Sequence, residues 1–240
     1  MNRCLTLLSL TTFGLTALTA CGSAPPRADA EGTLAPDPAL TPGSDTGADL
    51  ATPAWYTALF VAGASARFAV HEDRHAVTDE AVQRGGPESA ADWVVTPSDG
   101  EITCEVASVR TVGEAQVSLV TCSGYEIAGL VAPPAGLWVL LGGALYHSYY
   151  AEMDDAAIAA LATDGRFPIL PSVPTVGARA TEEVQVTLEL RGTRLCATET
   201  ALMGDDYGTS TCFERGAWPA SFDTGGGAAW QYSEAYLKRL

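Results

Sequence analysis

The sequence predicts a mainly β fold, built of antiparallel hairpins in a sandwich-like or barrel-like arrangement, with one or two short helices. Two segments, residues 102–112 and 115–122, are rich in Val, Ile and Thr and contain no proline, which is typical of strands. Four cysteines form two pairs, and each pair is centred on a glycine. A clear helical pattern occurs only near residues 154–163. Paired strands are therefore favoured over packed helices.

The first twenty residues have the pattern of an export signal. Arg3 precedes an apolar run from Leu5 to about Leu18, which is too short to remain as a membrane-spanning helix. Small residues close the run. We expect residues 1–20 to be removed as a signal peptide.

The end of this segment, Leu18-Thr19-Ala20-Cys21, resembles the lipobox of bacterial lipoproteins. The resemblance implies that a peptidase cuts before Cys21 and that this cysteine carries the lipid. Acyl chains hold a protein stably at a bilayer, because each buried methylene contributes about 0.8 kcal/mol. The implied location is the cell envelope. Gly22, rather than Asp, behind the cysteine implies the outer membrane if the source is Gram-negative, facing the periplasm or the cell surface.

The next segment predicts a tether. Residues 22–54 are dense in Pro, Gly, Ala, Ser and Asp and contain no aromatic residue, so they cannot bury a core. Together with the lipidated Cys21, we therefore assign residues 21–54 to a disordered linker.

The rest of the chain is long enough for a folded core. It predicts a first β unit at residues 55–150, a helix and proline-rich connector at 151–178, and a second β unit at 179–240. Within the connector, Asp154 or Asp155 can cap a short helix from about 154 to 163.

The cysteines predict disulfides. Cys4 leaves with the signal and Cys21 takes the lipid, so an even set of four remains in an exported chain, which favours disulfide bonds. The remaining cysteines are Cys104, Cys122, Cys196 and Cys212. A zinc cluster of these thiols is disfavoured because no C-x-x-C spacing is present.

The spacing selects one connectivity. Cys104 and Cys122 are centred on Gly113, and Cys196 and Cys212 on Gly204. Glycine at the midpoint supplies the positive φ that a tight hairpin needs. We therefore predict the bonds Cys104–Cys122 and Cys196–Cys212, each contributing about 2–4 kcal/mol to stability.

The two β units show a weak internal duplication. Each has a cysteine pair around a glycine, then a Gly-rich stretch, a tryptophan and a tyrosine. The tryptophans are Trp138 and Trp230, and we interpret both as core residues rather than as a ligand platform.

The charge excludes some partners. The formal net charge is −16, and it becomes −17 when Arg3 leaves with the signal. Polyanion binding requires a basic surface, so the sequence predicts no nucleic-acid partner and no attraction to an anionic membrane surface.

Residues 71–75, HEDRH, match the H-E-x-x-H motif of zinc metallopeptidases. In a helix, His71 and His75 would bind zinc as the metal ligands, and Glu72 would act as the catalytic carboxylate. Such a helix buries the two residues between Glu and the second His, and here these are the charged Asp73 and Arg74.

The third ligand of such a site is missing. No glycine and third histidine follow His75 in the manner of the metzincins. The remaining candidates are four carboxylates and one distant histidine, none of which is singled out: Glu80, Glu88, Glu101, Glu105 and His147.

Three interpretations of HEDRH therefore stand. The segment is a zinc helix, a solvated turn between two strands, or a noncatalytic metal or pH-sensitive pair of histidines. We favour the solvated turn, with no catalytic residue, no metal and no cofactor, and keep the zinc peptidase as the alternative.

Three further short patterns are interpreted as ordinary structure. Asp223-Thr224-Gly225 resembles the motif of aspartic peptidases, but too few residues follow it, and we interpret residues 225–227 as a loop. The acidic segments 97–101 and 204–208 lack the ligand pattern of a calcium loop, and we interpret them as hairpin turns.

The sequence as a whole predicts an exported, lipid-anchored envelope protein whose β domain is a binding or structural module. The alternative is a zincin-type metallopeptidase using His71, Glu72 and His75. The identity of a protein or small-molecule partner is left open.

Overall fold

A computed structural model describes residues 55–128, 130–149, 152–163, 166–172, 174, 176–180, 184–201, 208–228 and 230–240. These residues form an antiparallel sheet of eleven strands with two short α-helices. The predicted fold class is confirmed. The signal segment, the tether and the turn at Gly204 lie outside the described residues.

The strands run in two meanders. The first half contains β1 (Ser65–Val77), β2 (Trp93–Val112), β3 (Ala115–Gly124), β4 (Gly136–Leu141) and β5 (Ala144–Ser148). The second half contains β6 (Gly177–Ala180), β7 (Val184–Arg191), β8 (Arg194–Ala201), β9 (Gly208–Phe213), β10 (Ser221–Ala228) and β11 (Gln231–Arg239).

The two meanders share one sheet because the first and last strands of the chain, β1 and β11, pair with each other. The spatial order is β5-β4-β3-β2-β1-β11-β10-β9-β8-β7-β6. The pairing runs from Phe68 opposite Arg239 to Ala76 opposite Gln231. The segments predicted as two β units are therefore continuous through their backbone hydrogen bonds.

The sheet folds back on itself. Trp138 of β4 and Phe213 of β9 are six strand spacings apart, about 29 Å along a flat sheet at 4.8 Å per spacing. Their ring centroids are nevertheless only 6.4 Å apart, edge to face. The inner faces of the two halves therefore form one core, which also includes Phe68, Leu188 and Phe222.

Both predicted disulfides are present, and each joins neighbouring strands. Cys104 of β2 lies opposite Cys122 of β3, and Cys196 of β8 lies opposite Cys212 of β9. The turn between β2 and β3 contains Gly113 at a φ of 56°. The glycine-centred spacing thus identified both the bonds and the first hairpin's turn.

The helices are short and capped by side chains. Helix α1, Asp79–Arg84, begins after Thr78, whose hydroxyl accepts from the backbone N–H of Ala81. Helix α2, Asp155–Ala160, begins after Asp154, whose carboxylate accepts from the N–H of Ala157. The second helix is the one predicted from the sequence. No helix among the described residues is long and apolar enough to cross a membrane.

Two predicted loops are strand instead. Segment 97–101 lies inside β2, and residues 225–227 lie inside β10. At Gly226 an added Cβ would lie 2.7 Å from the end of the Leu130 side chain, which would have to move. The glycine run therefore allows another segment to approach the sheet closely and does not end the strand.

The duplication predicted a core position for both tryptophans, and only one occupies it. Trp138 is fully buried, and its indole N–H donates to the carbonyl of Pro134. Trp230 is 40% exposed, next to the start of β11. The prediction for Trp230 was wrong because a Gly-rich stretch before a tryptophan does not determine which face of the sheet the tryptophan side chain occupies.

Candidate functional site

The HEDRH segment lies in the middle of β1. It is neither a helix nor a turn, so both the zinc-helix and the solvated-turn interpretations were wrong. In a strand, residues four apart are separated by about 13 Å, whereas side chains four apart on a helix have Cβ atoms about 5–6 Å apart. The geometry that lets a zincin helix present His71 and His75 to one metal ion is therefore absent.

Glu72 points to the inner face of the sheet and is completely buried. Its carboxylate accepts hydrogen bonds from Arg74 at 3.0 Å, the Tyr125 hydroxyl at 2.5 Å and the backbone N–H of Ala128 at 2.9 Å. Ser233 of β11 donates a further bond. The carboxylate thus joins β1 to β11 and to the segment that follows β3.

These bonds decide the charge of Glu72. Burial raises the pKa of its carboxyl group, but the hydrogen bonds from Arg74, Tyr125, Ala128 and Ser233 outweigh burial and hold the pKa at about 2. A carboxylate that is buried, ionised and surrounded by donors is poorly suited to take a proton from water. We interpret Glu72 as a structural anchor for residues 125–128.

The position of Tyr125 depends on a glycine in the neighbouring strand. An added Cβ at Gly100 of β2 would lie 2.2 Å from the Tyr125 ring. The ring therefore occupies the space that the missing side chain leaves. Residues 97–101, which have the composition of a turn, are strand because they pair with β1, from Asp73 opposite Pro97 to Ala69 opposite Glu101.

The outer face of β1 carries the two histidines. His71 Nδ1 lies 2.7 Å from a carboxylate oxygen of Asp99 on β2, and its Nε2 lies 3.8 Å from Asp73. The hydrogen bond with Asp99 raises the pKa of His71, burial opposes this rise, and the charges of Asp73 and Asp99 add to it. The pH-sensitive pair of histidines considered from the sequence stays a prediction, to which His71 contributes an exposed imidazole beside two carboxylates.

His75 has a different environment. Its ring stacks on Tyr232 at a centroid distance of 4.2 Å, and Trp93 packs edge-on against the same tyrosine at 5.2 Å. Its Nε2 is 3.7 Å from Glu234. The two imidazoles are thus held apart by separate partners.

The predicted third ligands do not form a metal site with the two histidines, although Glu101 and Glu105 lie on β2, which pairs with β1. Glu101 pairs with Arg67 at 3.1 Å, and His147 lies on β5 with its Nε2 3.0 Å from the carbonyl oxygen of Ala135. Nowhere in the described ranges do three or more His, Cys, Asp or Glu side chains group in a way that could hold a metal ion.

A second cluster, which the sequence did not predict, lies where β5 meets β8 and β9. His147 stacks on Trp138 at 4.2 Å, and Tyr149 packs edge-on against His147 at 4.7 Å. Burial lowers the pKa of His147 to about 4. Burial also raises the pKa of Tyr149, whose side chain is hydrogen-bonded to Thr209.

Glu199 completes this cluster from β8. Desolvation raises the pKa of its carboxyl group, while the charge of Arg166 acts in the opposite direction. The folding of the sheet over its inner face brings β5 close to β8 and β9, strands with which it does not pair, so no local sequence pattern predicts this cluster.

An open groove of about 670 Å³ lies among the described residues. It is lined by Ser65 and Arg67 at the start of β1, by Trp218 in the connection between β9 and β10, and by Arg239 and Leu240 at the end of β11. We call it the basic groove. Two of its side chains carry positive charge in a chain whose formal net charge is −16.

Comparison with models of known protein families finds no match, and a search of curated proteins finds no similar sequence.

Proposed function

We propose that this chain is an exported envelope protein, anchored by lipid on Cys21, whose folded β domain is a binding or structural module held by a tether. In a Gram-negative source the membrane would be the outer membrane. The module would face either the periplasm or the cell surface, with the tether at residues 22–54 setting its distance from the bilayer.

The observation that carries the proposal is the pair of cross-strand disulfides. Such bonds persist in oxidising compartments outside the cytoplasm, and they are rare in cytosolic proteins. This favours export independently of the N-terminal pattern. The lipobox-like residues 18–21 then supply the route of attachment.

The basic groove supports the binding side of the proposal. Ala58 also lines this groove, three residues after Trp55, the first described residue of the folded domain. The groove therefore lies at the end of the domain where the predicted tether joins it. A metallopeptidase is not proposed, because Glu72 is buried and the two histidines of HEDRH are about 13 Å apart along a strand.

Membrane attachment is tested by fractionating cells that express the full chain, the Cys21→Ser variant and the Cys4→Ser variant. We expect the unchanged chain and Cys4→Ser in the membrane fraction, and Cys21→Ser outside it or retained with an uncleaved signal. Cys4 is the matched control because it lies in the same segment and is not the predicted lipid acceptor. Equal release of all three proteins by salt, without detergent, would refute the lipid anchor.

A further inference from the structure

The basic groove combines apolar walls with positive charge. Trp218, Ala58 and Leu240 contribute apolar surface, while Arg67 and Arg239 contribute guanidinium groups. Among the described residues that line it, none is Asp or Glu. This composition suits a molecule that has both an apolar part and an anionic head.

Arg67 is the guanidinium most open to an incoming anion. Its side chain is 61% exposed and pairs at 3.1 Å with Glu101, which is equally exposed. Exposed pairs of this kind are weak, about 0–1 kcal/mol, because water screens both charges. An oxyanion bound in the groove can therefore share or replace Glu101 at little cost.

Arg239 is held more firmly and shapes the groove. It donates to the carbonyl of Trp218 and to the carboxylate of Glu214, and Glu214 also accepts from Arg194 at 2.8 Å. This network fixes the connection that carries Trp218 against the end of the sheet. We assign to Arg239 the positioning of the groove wall, and to Arg67 the contact with the ligand.

Trp218 offers a way to observe occupancy. Its ring packs against Phe68, with centroids 6.4 Å apart, and its indole N–H is covered and has no acceptor among the described residues. Atoms that enter the groove would change the surroundings of this ring, which is 5% exposed. The N–H signal of Trp218 is therefore a local reporter.

We propose that the basic groove binds a small amphipathic organic anion, with its oxyanion head on Arg67 and its apolar chain along Ala58, Trp218 and Leu240. This inference deepens the binding role proposed above and rests on it. It does not require the lipid on Cys21, so the two claims fail separately.

The test is an NMR titration of the chain from Gly22 to Leu240, which keeps the tether and every described residue. The probes are decanoate and, as a control of the same chain length, decyltrimethylammonium. The indole signal of Trp218 is assigned from the Trp218→Phe variant. We expect a saturable shift of this signal with decanoate and little with the cationic probe.

Three variants make the test specific. Arg67→Gln should weaken decanoate binding by roughly fivefold or more, since a charge-assisted bond is lost. Glu101→Gln should strengthen binding, because it frees Arg67. Arg110→Gln is the matched control and should bind as the unchanged chain does, because Arg110 is an exposed arginine paired with Asp155 at 2.8 Å outside the groove.

The proposal is overturned if decanoate produces no saturable shift, if the cationic probe binds equally well, or if Arg67→Gln and Arg110→Gln behave alike. Such results would leave membrane attachment through Cys21 untouched, since that claim is decided by fractionation.

Discussion

The carboxylate of Glu72 shows how one residue can contradict the solvent exposure expected from its neighbours. It lies in a run of five polar residues, yet it is buried because it continues the inward positions Phe68 and Val70 along the strand. In a strand every second residue faces the same side, so the apolar residues Phe68 and Val70 mark the inner face. Continuing this alternation by one step would have predicted that Glu72 faces the core. Its four donors then make an ionised buried group stable.

The first prediction concerns acid stability. The pKa of Glu72 is lowered from 4.5 to about 2, so its ionisation stabilises the fold above about pH 4.5 and this contribution is lost as the pH falls towards 2. At 1.36 kcal/mol per unit the contribution is about 3 kcal/mol. Urea unfolding should show the free-energy difference between the unchanged chain and Glu72→Gln shrinking over this range.

The control for this prediction is Glu101→Gln, which removes an exposed carboxylate and should change stability by less than about 1 kcal/mol at any of these pH values. A difference between the unchanged chain and Glu72→Gln that stayed constant from pH 5 to pH 2 would contradict the assignment.

The second prediction concerns the histidines, of which the chain has three. The bond with Asp99 raises the pKa of His71 above 6.5, and burial lowers the pKa of His147 to about 4. An NMR titration of the imidazole signals should resolve both values. Asp99→Asn should lower the pKa of His71 and leave that of His147 unchanged, whereas an unaltered His71 would argue against the Asp99 contact.

At the scale of elements, β2 and β3 form the hairpin that the sequence predicted in most detail. Cys104 lies opposite Cys122 and Val106 opposite Val120, as the symmetric spacing around Gly113 required. Local composition and spacing were sufficient for these two pairs, but they did not predict the shift of register between Val106 and Ser108, nearer the turn. The neighbouring segment 97–101 could not be predicted in this way, since it is held by its pairing with β1, and the placement of Tyr125 depends on the space beside Gly100.

The third prediction tests that dependence. Gly100→Ala should destabilise the fold by about 1–3 kcal/mol, because the new methyl group would overlap the Tyr125 ring. In a Tyr125→Gly background, which removes the ring and also the Cβ atom that would lie 2.7 Å from the new methyl group, the same change should cost less than about 0.5 kcal/mol. Equal costs in the two backgrounds, measured by chemical denaturation, would show that the Tyr125 ring does not occupy this space.

On the scale of the whole molecule, the sheet folds over its own inner face. This folding brings residues of distant strands into contact. The sequence predicted the mainly β fold class, the hairpin of β2 and β3, the disulfides and helix α2. It did not predict the groove or the His147 cluster. Both are formed by residues far apart in the chain, such as Arg67 with Trp218 and Tyr149 with Thr209. These residues lie close together because β1 pairs with β11 and because the sheet folds back on itself. Neither arrangement can be predicted from a single segment of the sequence.

The fourth prediction tests this closure. Trp138→Phe and Phe213→Leu should be coupled by about 0.5–1.5 kcal/mol in a double-mutant cycle, because their rings are in contact. Trp93→Phe combined with Phe213→Leu should be additive within about 0.5 kcal/mol, since Trp93 packs on Tyr232 instead. Additivity for the first pair would mean that the two halves of the sheet do not meet at these rings.

The central claim is that a disulfide-linked β domain is tethered to a membrane by lipid on Cys21. The most direct test uses the protein purified from its own envelope and digested with a protease without reduction. The peptides are then identified by mass spectrometry. The expected result is an acylated N-terminal peptide beginning at Cys21, together with cross-linked peptides for Cys104–Cys122 and Cys196–Cys212. A peptide spanning an uncut Ala20–Cys21 bond, with Cys21 unmodified and the other four thiols free, would contradict it.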